Sequence, residues 1–136
     1  MSNRIKFGVY LPEDLARELH EFLRLTRLGS KSKVIQEALR LFVIEQRWRL
    51  AEGKVAGILG VIYDHEVGHA DEVLTDIQHK YLDTVISVMH IHLDPRNCML
   101  AIAVRGGAKR VRKLISEIEG VKGVKLVRPM LMASEQ

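Results

Sequence analysis

Two histidines two residues apart, and a cysteine six residues after the second, stand in the stretch VMHIHLDPRNCM at 88–99: His90, His92 and Cys98. Five of the six histidines lie between positions 65 and 92, and Cys98 is the only cysteine. Two imidazoles and a thiolate form a donor set for zinc, copper, nickel or cobalt, whereas hard cations take oxygen ligands. A nucleophilic Cys98–His92 pair is the other chemistry these types allow. No orienting side chain or oxyanion loop accompanies it, so a metal is the better-motivated reading. The bland alternative is a small core cysteine beside two strand histidines.

Whether the three donors meet depends on a hairpin. VISVMHIHL (85–93) and CMLAIAVRG (98–106) read as strands, joined by the turn Asp94-Pro95-Arg96-Asn97. His90 and His92 leave the same face of their strand. A loop of Pro95-Arg96 alone sets Leu93 opposite Cys98 and turns the cysteine away from His92. An odd-numbered loop, such as Asp94 to Arg96, opposes His92 and Cys98. The metal reading requires that odd loop, a bulge, or a cysteine just outside the ladder.

The elements around the hairpin complete a βαββαβ order. KVAGILGVIY (54–63) is an apolar strand. HADEVLTDIQHKYLDT (69–84) is a helix with Val73, Leu74, Ile77 and Tyr81 on one side. AKRVRKLISEIEG (108–120) is a helix with Val111, Leu114, Ile115 and Ile118 inward, and VKGVKLVRPML (121–131) is the last strand. The pattern predicts a ferredoxin-like domain over 51–136.

Residues 1–50 read differently. Ile5, Phe7, Val9 and Leu11 alternate with Arg4, Lys6, Gly8 and Tyr10, the signature of a half-buried strand ended by Pro12. A helix follows, with Leu15, Leu19, Phe22 and Leu23 at helical spacing. After Gly29, Ser30 or Ser32 caps a second helix carrying Val34, Ile35, Ala38, Leu39 and Phe42. One strand and two helices leave the strand unpaired and the core too small to stand alone. Antiparallel pairing of two copies cures both faults and gives a ribbon-helix-helix dimer. A two-stranded ribbon fits a DNA major groove, with Lys6, Gly8 and Tyr10 facing base edges. Ser30, Lys31 and Ser32 would meet phosphates at the second helix's N-terminus. The stretch EQRWRLAEGK (45–54) reads as the end of this module and a short linker.

Charge supports the division. Residues 1–50 hold 10 Lys/Arg against 6 Asp/Glu, while residues 51–136 hold 11 of each. The basic third points to an anionic partner, double-stranded DNA foremost. Hydrophobic residues make up 47% of the chain, enough for a packed core. No apolar run approaches the roughly 18–20 residues of a membrane span, and no secretory signal is evident. A single cysteine fits the reducing cytoplasm.

The stretch DIQHKYLDTVISVMHIHLDPRNCMLAIAVRG, behind a ribbon-helix-helix-like N-terminus, resembles the nickel-responsive transcriptional regulator family, NikR. The specific part is a helix histidine after glutamine, H-x-H eleven residues on, and cysteine six after the second histidine: Gln78-His79, His90, His92 and Cys98. The resemblance implies a homotetramer, a dimer of dimers, whose ferredoxin-like (ACT-type) domains form the centre. It implies one square-planar Ni(II) per subunit at an interface, held by His90, His92 and Cys98 of one subunit and His79 of a neighbour. It also implies operator binding promoted by nickel, repression of nickel uptake or handling genes, and no catalysis. His65 lies where relatives often carry an extra metal-binding group; His69 has no such match, and both read more simply as loop histidines. Departures are Gly8 and Tyr10 among the outward strand positions, Lys33 where relatives carry a glutamate that, with a later acid, forms a cation site (Glu37 remains), and Leu100 where relatives carry an acid. Two other readings fit the same elements: a regulator whose ferredoxin-like domain senses an amino acid or another transition metal, and a metal storage protein whose basic module only dimerises.

Overall fold

Strand-forming alternation in KVAGILGVIYD places Val55, Leu59, Val61 and Tyr63 on one side of a strand, and all four are buried. The computed structural model describes residues 3–133. Its elements run α1 (Glu13–Thr26), α2 (Lys31–Gln46), a 3-10 turn (Arg47–Arg49), β1 (Lys54–Asp64), α3 (Ala70–Lys80), β2 (Val85–His92), β3 (Asn97–Gly107), α4 (Ala108–Glu119) and β4 (Val124–Ala133). Two compact units divide between Leu41 and Phe42.

The second unit is α+β. Its four strands form one sheet in the order β2-β3-β1-β4, and every neighbouring pair is antiparallel. With one helix after β1 and one after β3, this is the ferredoxin-like arrangement expected from the βαββαβ order. Cys98, Leu100, Ile102 and Val104 line the buried face of β3, matched across the ladder by Tyr63, Val61, Leu59 and Gly57. Val111, Leu114, Ile115 and Ile118 of α4, with Leu74 of α3, close over that face. Burying each large aliphatic side chain there stabilises the domain by about 1.5–3 kcal/mol.

Trp48 belongs to this core as well, at 4% exposure. Arg112 of α4 holds the turn that carries it, donating to the carbonyls of Trp48 (3.2 Å) and Ala51 (2.9 Å). The stretch read as the start of a linker is therefore partly core.

Two boundaries differ from the sequence-based expectation. Helix α3 stops at Lys80 rather than Thr84, because Tyr81 leaves the helical path (φ −114°) to become fully buried. Arg110 stabilises the break: it donates to the Lys80 carbonyl (3.3 Å), pairs with Asp83 (3.1 Å), and lies 4.2 Å from the centre of the Tyr81 ring. Strand β4 begins at Val124 rather than Val121, since Gly123 at φ +100° turns the chain first. A side chain there would be strained and would press on the Asp64 carbonyl.

In the first unit the two helices fall where the apolar spacing puts them. Pro12 precedes α1, Arg27 closes it in a left-handed conformation, and the Ser30 hydroxyl caps α2 by accepting from the Lys33 N–H (3.2 Å). The expected N-terminal strand is not formed: residues 3–12 belong to no helix or ladder. A strand needs a neighbour for its N–H and C=O groups, and none of the first unit's other described residues offers one. Neither helix buries a single residue fully, and Ile5, Phe7 and Val9 are 87%, 72% and 59% exposed.

Candidate metal centre

The register of the hairpin settles whether the donors meet. His92 pairs directly with Cys98, and His90 with Leu100, so His90, His92 and Cys98 share one face. The loop is the odd one: Leu93 and Asp94 both donate to the Asn97 carbonyl, leaving Asp94, Pro95 and Arg96 to make the bend. One potential ligand atom from each of His90, His92 and Cys98 lies within 4.8 Å of the others. His92 Nδ1 is 3.5 Å from Cys98 Sγ, and the two imidazole rings stand 4.8 Å apart at 37°. Cys98 is buried at the base, while the histidines are exposed on β2, an edge strand. One soft and two borderline donors on an open side suit a late transition metal that keeps a position for a further ligand.

His79 is not part of this cluster. It sits exposed in the last turn of α3. His65 is otherwise engaged, its Nε2 donating to the Pro95 carbonyl (2.6 Å), and His69 precedes α3 in a left-handed conformation with no side-chain cap bond. Leu100 is core, directly opposite His90 across the β2–β3 ladder.

Carboxylates hold the loop that sets the register. Buried Asp64 at the end of β1 accepts from Arg96 (2.6 Å) and from the Glu66 N–H (3.0 Å). Burial pushes its carboxyl up, but the Arg96 guanidinium and the Glu66 N–H outweigh that and hold it below its ordinary value. Asp94 accepts from the Asn97 side chain (2.9 Å) and from the backbone N–H groups of Arg96 (2.8 Å) and Asn97 (2.7 Å). The Asn97 amide first, then the two backbone donors, lower its carboxyl to about 2. A depressed carboxyl stabilises the fold above its unfolded value, near 3.9, and that contribution is lost as pH falls toward 2. Asp94→Ala is accordingly expected to flatten the fall in the urea midpoint between about pH 4 and 2. Equal slopes for both proteins would mean that the carboxylate does not hold the loop.

Sequence reasoning missed two residues at this centre. Tyr63, which pairs with Cys98 across β1 and β3, brings its hydroxyl 3.3 Å from His90 Nε2. The same hydroxyl donates to Asp71 in the first turn of α3 (2.5 Å). Burial, then the Asp71 carboxylate, push the Tyr63 hydroxyl above its ordinary value, so it stays protonated. The alternation of β1 already put Tyr63 on the face of Val61; only the β1–β3 register puts it beside the cysteine.

Residues 56–132 match the family model described as the NikR C-terminal nickel-binding domain. The chain belongs to the NikR family of nickel-responsive regulators. Among curated NikR relatives, one from Dictyoglomus thermophilum is 39% identical over 92% of this chain and 93% of its own length. One from Methanocaldococcus jannaschii is 37% identical over 97% and 94%, and one from Geobacter sulfurreducens 35% over 92% and 90%. All three carry the name "Putative nickel-responsive regulator". NikR relatives are thus named as regulators and not as enzymes. Among the described residues no helix is long and apolar enough to cross a membrane.

Proposed function

We infer that the chain is a nickel-dependent DNA-binding repressor, with Ni(II) held by His90, His92 and Cys98 of one subunit and His79 of another. The observation that carries this reading is the hairpin register, which gathers three donors and leaves the fourth side of the cluster open on an edge strand. His79, exposed and outside the cluster, is free to serve a second copy. A planar four-coordinate site of N and S donors is what Ni(II) favours. When bound, nickel would supply a bridge between subunits, one per subunit in a dimer of dimers.

The DNA-binding role rests on residues 1–50. The exposed Ile5, Phe7 and Val9 are what a strand offers before it pairs with its symmetry mate. That pairing would turn Lys6, Gly8 and Tyr10 outward to a major groove. Ser30, Lys31 and Ser32 open α2, where N–H groups and a cation suit phosphate. A ligand that bridges subunits stabilises the ordered assembly over a loosened one, and only that difference can shift DNA affinity. The protein would act in the cytoplasm, on genes of nickel uptake or handling.

DNA footprinting with and without nickel, joined to a nickel titration, tests the reading. Nickel-dependent protection of an operator supports it; nickel uptake with no protected site would favour storage instead. Lys6→Ala is expected to weaken DNA binding by about 1–3 kcal/mol, relax sequence preference and leave nickel affinity unchanged. A parallel fall in nickel affinity would refute the separation of the two roles.

A further inference from the structure

Proton counting around Tyr63 carries the reading of the metal centre one step further. The Tyr63 hydroxyl has one proton and three polar neighbours, Asp71 Oδ1, His90 Nε2 and Cys98 Sγ. A carboxylate only accepts, so the hydroxyl proton goes to Asp71. The oxygen then faces His90 with a lone pair, and a second lone pair on Nε2 would repel it. His90 Nε2 must therefore carry the imidazole proton.

We propose that Tyr63 and Asp71 are a positioning pair that fixes His90 as the Nε2–H tautomer and leaves Nδ1 as its metal-binding atom. A histidine ligand is set by the hydrogen bond its other nitrogen makes, and such outer partners align the ring and raise its basicity. Here the partner chain runs through a buried phenol to a carboxylate on a different element. Tyr63 is 1% exposed and cannot turn away, whereas His90 lies on an open edge strand and would otherwise be free to rotate. The Asp71 end is anchored in the first turn of α3, the helix whose last turn carries His79. The tautomer assignment stands on the hydrogen bonds alone; only the use of Nδ1 rests on the nickel reading.

The test follows the ring nitrogens of His90 by long-range 1H–15N correlation in the metal-free full-length protein, at about pH 8.5, where an ordinary imidazole is neutral. The wild type is expected to show His90 as Nε2–H. In Asp71→Ala the tyrosine proton is released toward His90, and the tautomer should move to Nδ1–H. In Asp71→Asn the amide oxygen still accepts from Tyr63, and the wild-type tautomer should return. His92 serves as the internal control and should not respond. Asp71 is exposed, so these variants should keep the fold; Tyr63→Phe, made alongside, should give a mixed His90 population. Nickel affinity, read by chelator competition, should fall about 10- to 100-fold in Asp71→Ala and Tyr63→Phe and recover in Asp71→Asn. A wild-type Nδ1–H tautomer, or one that Asp71→Ala and Tyr63→Phe leave unchanged, overturns the proposal. A protein that takes up no nickel yet shows these tautomer shifts upholds the pair and removes the nickel function instead.

Discussion

Cys98→Ala is expected to show no sulfur-to-nickel charge-transfer band on titration with Ni(II), and to bind the metal at least about 100-fold more weakly than the wild type. Loss of a residue that merely orients a ligand already costs about 10–100-fold, and Cys98 is the one anionic donor among the three gathered by the hairpin. Two neutral imidazoles cannot replace its charge or its softness. The variant should remain folded, because a buried cysteine behaves as a small apolar residue and alanine differs by one atom's volume. A second readout follows from linkage. At a free nickel concentration of about 100 times the wild-type Kd, the wild type gains about 2.7 kcal/mol of stability, and the variant no more than about 0.4 kcal/mol. Wild-type nickel affinity in Cys98→Ala would end the case for this hairpin as the metal centre.

Gly57→Ala is expected to be among the most damaging single-methyl changes in the second unit. Gly57 lies mid-strand in β1, paired with Val104 on one side and Leu131 on the other. A Cβ at this position would overlap the Met130 carbonyl oxygen and stand 2.9 Å from Leu131 Cα. Both obstacles are backbone, so no side-chain rotation relieves them; the β1–β4 ladder has to part. Overpacking of this kind costs about 3 kcal/mol, which lowers Tm by roughly 10–20 °C in a domain of this size. Gly60 gives the control. A Cβ there would meet nothing closer than the Arg128 carbonyl at 3.6 Å, an ordinary contact. Gly60→Ala should change stability by less than about 0.5 kcal/mol. Thermal melts of the two variants separate close backbone approach from a general intolerance of alanine in β1.

The second unit was legible in the sequence because its cues are local. Apolar runs bounded by turns gave the strands, and the 3.6-residue period gave α4. The choice between a two-residue and a three-residue loop was not legible, because it turns on how Asp94 spends its carboxylate oxygens among Arg96 and Asn97. The end of α3 was missed for a similar reason. The period continues through Tyr81, but burial of that ring and the reach of Arg110 from α4 decide the break. Tyr63 and Asp71 escaped notice because they join the candidate donors through two tertiary registers, β1 on β3 and α3 on β1, that no spacing encodes. The strand expected over residues 4–11 is not formed, because a strand needs a neighbour for its N–H and C=O groups and the described residues of the first unit supply none.

The pairing of His92 with Cys98 ties this protein's descent to the register of β2 on β3. The bend between them can drift in sequence, and in length wherever the pairing survives, but a slip of β2 by one residue would turn both histidines to the opposite side of the sheet and leave Cys98 behind. Relatives that keep the same three donors should therefore keep this pairing, whatever loop joins the strands.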